Sequence, residues 1–248
     1  MKAPSAIATF PIENKRPSPA KSPVPVLTVD IGGSSVKVLA SGQTEPRKRR
    51  SGKNLTPAKM VEIVQELAEG WDYDVVSIGY PGLVGNQGPS SEPGNLGSGW
   101  VGFDFASAFG LPVRIMNDAA MQALGSYEGG RMLFLGLGSG VGSALITEGA
   151  ILTLELGQLP YKGGETMGEA LGRQGLKRLG KAAWRRAVTD VASALMKAFL
   201  ADSVVIGGGN AKNLKELPPG VLQSHNLTAF RGGFRMWNNG TVSKLRNE

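Results

Sequence analysis

The chain has 248 residues, 41% hydrophobic and 19% charged, with a net charge of +7, no Cys and one His, His225. This is enough apolar material for a sizeable core. The missing thiols exclude disulfides, Cys-based zinc sites, iron–sulfur clusters and a thiol nucleophile, and a lone His leaves neither a histidine-rich metal centre nor a serine–histidine triad. The 36 glycines and 15 prolines follow no period, which removes collagen-like and solenoid folds. No apolar run approaches the roughly 18 residues of a membrane span, and a Cys-free chain suits a reducing, cytoplasmic setting.

The charge is localised. Residues 1–53 hold ten Lys/Arg against three acids, whereas residues 54–248 hold seventeen of each. A neutral globular part with few aromatics argues against specific nucleic-acid binding through the basic tail. Residues 1–25 carry six prolines among Lys, Ser and Ala, too little apolar material to offset the entropy of ordering, and read as a disordered tail. The stretch AIATFPI within them, broken by Thr9 and Pro11, is a poor signal-peptide core.

The fold is expected to start at Val26–Ile31, a short apolar run ended by Gly32-Gly33, with Val36–Ala40 as the second strand of a hairpin. Thr56-Pro57 reads as a helix start; Met60, Ile63, Val64, Leu67 and Ala68 keep helical spacing and Gly70 stops it. Val75–Gly79 is a buried strand, and residues 81–99 a long loop of the kind that usually has a task or is mobile. Pro112–Met116 predicts a strand that runs into Asn117-Asp118 and a helix over 119–128. Arg131–Leu137 and Gly142–Thr147 pair around Gly138-Ser139-Gly140. A long amphipathic helix is expected from Lys177 to Leu200, with Leu179, Ala183, Ala187, Val191, Leu195 and Phe199 on one side. Val204–Ile206 leads into Gly207-Gly208-Gly209. Phe230–Trp237 reads equally as a helix cap, a dimer contact or a tail. The order argues for an α/β protein with partly antiparallel sheets.

Three glycine-rich turns each follow a strand: Asp30–Ser35, Gly136–Gly142 and Gly207–Asn210. Turns of this kind expose successive N–H groups to a phosphate, although each alone also fits a hairpin that needs positive φ. None matches a P-loop or G-x-G-x-x-G motif. Asp30 can hold Mg²⁺ through water beside such a turn or simply shape it. Asp118 can be a helix N-cap or a general base for an alcohol attacking a phosphoryl group.

Taken together, DIGGSSVK (30–37), GYPGLV (79–84), NLGSGW (95–100), PVRIMNDA (112–119), LFLGLGSGVGSALI (133–146), LELGQLPY (154–161) and VVIGGGNAK (204–212) resemble the ROK sugar kinases, in particular the polyphosphate/ATP-dependent glucokinases. The resemblance implies an actin-like, ribonuclease H-type two-domain α/β fold, divided into a tail (1–25), an N-terminal domain (26–116) and a C-terminal domain (117–248). It implies a kinase that moves a phosphoryl group from polyphosphate or ATP to the 6-hydroxyl of glucose or a related hexose, with Mg²⁺ and without zinc, as a cytoplasmic homodimer with no membrane partner. It makes Asp30, Gly32, Gly33, Ser34, Ser35 and Lys37 the first phosphate segment, Gly138, Ser139 and Gly140 the second, and Gly208 and Gly209 the nucleotide side. Asp118 becomes the base; Asn95, Asn117, Asp118, Glu155 and Gln158 face the sugar.

Two departures from the family stand out. Gln158 takes the place of a His that many ROK proteins carry, and their Cys-rich zinc segment is missing. A sugar-binding protein without turnover is therefore the rival class. Finally, Arg47-Lys48-Arg49-Arg50, with Lys53, follows the hairpin and either lines the approach of a polyanionic donor or forms a solvated loop.

Overall fold

The computed structural model describes residues 24–147, 150–225 and 227–237; the expected tail lies almost wholly outside them. Strands β1 (Val26–Ile31), β2 (Val36–Ala40) and β3 (Arg47–Arg49) form an antiparallel meander. Helix α1 (Pro57–Leu67) follows, with Pro57 in its first turn and the Thr56 side chain accepting from Lys59 N. It leads to β4 (Val75–Tyr80), parallel to β1. The long loop contains a small hairpin, β5 (Val84–Gly85) with β6 (Gly88–Pro89), and is followed by α2 (Phe105–Phe109), β7 (Val113–Asn117) and α3 (Asp118–Ser126). The first sheet has the order β3-β2-β1-β4-β7.

The same pattern then repeats. Strands β8 (Met132–Leu137), β9 (Val141–Thr147) and β10 (Ala150–Leu154) form a second antiparallel meander. Helices α4 (Met167–Leu171) and α5 (Arg173–Ala198) lead to β11 (Ser203–Gly207), parallel to β8, and then to β12 (Val221–Gln223), giving the order β10-β9-β8-β11-β12. Two copies of one sheet plan, each three antiparallel strands followed by parallel crossovers, make this an actin-like α/β fold. Each sheet has its own core. Leu27, Val29, Ile31, Val36, Val38, Ile78 and Tyr80 pack with α1 under the first; Leu133, Leu135, Trp184, Val188 and Ile206 pack with α5 on the second.

The last helix, α6 (Thr228–Arg235), returns to the first sheet. The Ser77 hydroxyl donates to Gly233 O (2.7 Å), Trp237 Nε1 donates to Ser77 Oγ (2.8 Å), and Arg235 Nη1 caps the end of α3 by donating to Leu124 O and Tyr127 O (2.7 and 2.8 Å). Residues 230–237 are therefore an integral helix and its cap, packed against both the first sheet and α3.

Two sequence expectations need correction. Helix α5 begins at Arg173 and is kinked at Gly180 (φ 71°). The kink turns Leu179 out to 39% exposure, so the buried stripe is Trp184, Val188, Val191, Ala192 and Leu195. The basic run is an edge strand rather than a loop. Arg47 stacks on the Trp71 ring at 4.1 Å and donates to Leu67 O and Glu69 O at the end of α1, and Arg49 pairs with Glu66 of α1. These two arginines complement the carbonyl end of the helix.

Candidate active site

Strand register assembles the centre of the site. Asp30 of β1 is opposite Gly79 of β4, Gly79 is opposite Met116 of β7, and Tyr80 is opposite Asn117. Asp30, Asn117 and Asp118 therefore share the carboxyl ends of three parallel strands, the edge where open α/β sheets bind ligands. A Cβ at Gly79 would lie 3.6 Å from Asp118 Cα and overlap the Met121 methyl. The missing side chain is what lets α3 settle against the strand end beside Asp30.

The helix cap is Asn117. Its Oδ1 accepts from Ala119 N and Ala120 N (3.0 and 3.1 Å), and its Nδ2 donates to Gly82 O (3.1 Å). Asp118 is thereby freed from capping, although its own Oδ1 accepts from Ala119 N (2.7 Å). Its carboxyl is pushed up to about 7. Burial is the main cause and the charge of Asp30 the second; the Ala119 amide opposes, and Glu155 adds a small rise. A carboxyl poised near neutrality at the strand ends matches the requirement for a general base.

Asp30 is 8% exposed and accepts from Lys37 Nζ of the adjoining strand (2.8 Å). The turn between them closes through Gly32 N donating to Ser35 O (3.0 Å), and Asn95 lies directly against Gly33. Ser51 N, just past β3, donates to Ser34 O (3.3 Å). The Gly32–Ser35 turn and the 95–100 loop are thus adjacent.

Glu155 and Gln158 lie three residues apart on one helical turn, with Gln158 N donating to Glu155 O (2.9 Å). Ser143 of β9 pins that turn: its hydroxyl donates to Leu154 O (2.8 Å) and accepts from Leu156 N (3.1 Å). Burial raises the Glu155 carboxyl. The N-terminal turn of α3 reaches the same strand, since a Cβ on Gly142 would sit 3.0 Å from Ala119 Cβ.

On the second sheet, Gly207 is opposite Gly136, so the two glycine turns leave neighbouring strand ends side by side. Asn210 Nδ2 donates to Gly138 O (2.8 Å), Asn210 N to Leu137 O (3.0 Å), and Arg173 N, at the start of α5, to Gly138 O (3.0 Å). Gly208 alone among these glycines takes a left-handed φ, +82°, packed on the Leu137 backbone. Gly138, Gly140 and Gly209 have no positive φ, and an added Cβ would meet nothing within 4 Å. Neither backbone conformation nor packing calls for glycine at those three positions, and the backbone there is open to close approach. Sequence reasoning missed Asn210 as the clasp of this turn; its place directly after three glycines was the available signal.

No family model matches the chain. Polyphosphate glucokinase from Mycobacterium leprae is 30% identical over 203 residues, covering 73% of this chain and 62% of that protein. The Mycobacterium tuberculosis polyphosphate glucokinase is 26% identical over 214 residues, 77% of this chain and 80% of that one. The chain is similar in sequence to polyphosphate glucokinases and shares the fold of solved ROK-family proteins. Among solved structures, the inorganic polyphosphate/ATP-glucomannokinase from Arthrobacter sp. strain KM superposes with a TM-score of 0.72 at 22% identity, over 86% of this chain and 98% of that one. A ROK family glucokinase from Streptomyces griseus, solved with glucose and AMPPNP, gives 0.67 at 16%, over 87% and 100%. The chain thus spans less than two thirds of the M. leprae relative, yet nearly the full length of these two solved folds. Among the described residues no helix is long and apolar enough to cross a membrane, and no group of three His, Cys, Asp or Glu side chains converges as a metal site.

Proposed function

We propose that the protein is a hexose kinase that transfers a phosphoryl group from polyphosphate or ATP to the 6-hydroxyl of glucose or a related hexose. The observation that carries this reading is Asp118, released from capping by Asn117 and poised near pH 7 at the strand ends beside Asp30. Kinship with the polyphosphate glucokinases supports it. In this reading residues 26–116 and 117–248 are the two halves that enclose the sugar. One five-stranded sheet in each span supports that division, and α6 ties the second span back to the first.

Asp118 orients the attacking hydroxyl and accepts its proton, Asn117 and Asn95 position sugar hydroxyls, and Glu155 with Gln158 holds the ring from the opposite side. With Gly32 N and Gly138 N closing their own turns, the N–H groups of residues 33–35 and 139–140 cradle the donor phosphates, with Gly208 and Gly209 on the nucleoside side. Phosphoryl transfer needs positioning and charge neutralisation more than covalent help. The donor set fits Mg²⁺ held through water, since the ion is usually bound by one or two carboxylates together with substrate phosphates: Asp30 is a single carboxylate at the head of the Gly32–Ser35 turn, with Lys37 on its Oδ2. Asp30 would hold the ion, which would supply charge neutralisation for the transferring phosphate. A chelator is accordingly expected to abolish turnover and millimolar Mg²⁺ to restore it, with zinc having no effect; activity that survives chelation would remove Asp30 from a metal role. The cysteine-free composition suits the cytoplasm, and a homodimer is the proposed assembly.

The test is a coupled assay of the purified protein against a panel of hexoses, with ATP and polyphosphate in turn. Formation of a hexose 6-phosphate is expected. Glucose binding without turnover by either donor would instead make this a sugar-binding protein. Within the same assay, Glu155→Ala is expected to raise the glucose KM, because a carboxylate can accept from two vicinal hydroxyls; an unchanged KM would take Glu155 out of the site.

A further inference from the structure

The cross-strand register carries one face of the first sheet beyond Asp30. Asp30 pairs with Lys37 of β2, and Lys37 pairs with Lys48 of β3. With Gly79 on the other side of Asp30, the row reads Lys48, Lys37, Asp30, Gly79, with Asp118 seated over the glycine. At about 5 Å per antiparallel step, Lys48 stands about 10 Å from Asp30, on the side away from the base.

Its neighbours in the run do something else. Arg47 and Arg49 point to the opposite face and are bound to α1, so of the three residues of β3 only Lys48 faces the row. Lys37 is neutralised by Asp30. Lys48 has no ion-pair partner among the described residues, although like charges directly opposite on a sheet are unfavourable. An uncompensated cation in line with the phosphate turn, whose strand is stitched to that turn by Ser51 N and Ser34 O, is a place for an anion.

We infer that Lys48 binds a phosphate unit of a polyphosphate donor beyond the one that is transferred. This rests on the kinase reading above. Polyphosphate keeps about one charge per unit past the turn, whereas ATP continues into a nucleoside directed to the Gly208–Gly209 side. Four basic residues in a row overstate the track: Lys48 faces the donor, Arg47 and Arg49 hold a helix, and Arg50 lies past the end of the strand.

The experiment is Lys48→Gln, with Lys48→Arg as the charge-retaining variant. The KM for long-chain polyphosphate and for ATP is measured at low and moderate salt, and polyphosphate binding to the sugar-free protein is followed by titration calorimetry. Loss of one phosphate contact is expected to raise the ratio of polyphosphate KM to ATP KM about fivefold near 0.1 M salt and to flatten its salt dependence, with Arg restoring both. A ratio and a calorimetric affinity that do not change in the Gln variant would overturn the inference and leave Lys48 as a charge guarding an open sheet edge. Because calorimetry needs no turnover, that failure is separate from failure of the kinase reading, which shows as no hexose phosphorylation with either donor.

Discussion

Replacing Asp118 by Asn is expected to cut turnover about 10²- to 10⁴-fold, the usual cost of losing a positioned base, while glucose still binds. The amide keeps the shape of the side chain and loses only the proton acceptor. Stability should move the other way. With a folded-state pKa of about 7 against about 3.9 in an unfolded chain, the folded protein holds more protons between those values. Asp118 therefore lowers stability progressively as pH rises from about 4 to about 7, and no further above that. The amide of the Asp118→Asn variant carries no such charge, so the variant should gain on the parent as pH rises over that window. Thermal melts at pH 5 and pH 8 read this. A variant that turns over within threefold of the parent would leave Asp118 without a role in proton transfer.

The second large effect concerns the helix that holds Asp118 in place. At the α3–α6 crossing, a Cβ on Gly125 would overlap the Thr228 carbonyl oxygen and lie 2.7 Å from Gly232 N, while one on Gly232 would overlap Met121 O. Backbone meets backbone there, and no flexible side chain can yield. Gly125→Ala is expected to cost about 3 kcal/mol and to lower Tm by about 10 °C for a chain of this size. Gly94→Ala, where an added Cβ meets nothing within 4 Å, should stay within about 0.5 kcal/mol of the parent. Equal melting temperatures for the two variants would show that α6 does not grip α3 as described. Because Asp118 opens α3, a loosened crossing should also reduce turnover in the Gly125 variant at temperatures below its melt.

Local chemistry made much of the fold legible. Thr56-Pro57 marks the start of α1 because a β-region hydroxyl cap and a fixed φ serve the same helix end. The hairpins around Gly32-Gly33 and Gly138–Gly140 follow from apolar runs punctuated by glycine. What the chain did not disclose depends on contacts distant in sequence. Arg47–Arg49 lacks the apolar alternation of a strand; it pairs because β2 offers an edge and α1 offers carbonyls and Glu66. Gly180 hid the true phase of α5, since a kink shifts the stripe onto Trp184 and Val188. Gly232 and Gly233 in the FRGGFRMW segment look like helix breakers, yet they let α6 approach α3 and the first sheet closely.

The site follows the same division. The glycine turns and the two aspartates were visible as motifs, but their meeting was not. It comes from the register that sets Asp30 against Gly79 and Tyr80 against Asn117. Whether Asp118 caps α3 depends likewise on its neighbour, since Asn117 holds both amides. Asn210 and Lys48 gain their significance from partners 72 residues away and two strands away respectively.

The most direct test of the account is the pH dependence of kcat/KM for glucose phosphorylation, with Mg²⁺ and donor saturating at every pH. The base must be ionised to accept the hydroxyl proton, so the rate should rise tenfold per pH unit at low pH and bend near 7, and this limb should vanish from the residual activity of Asp118→Asn. A profile flat from about pH 5 to 8, or a limb that persists unchanged in the Asn variant, would contradict Asp118 as the group that takes the proton.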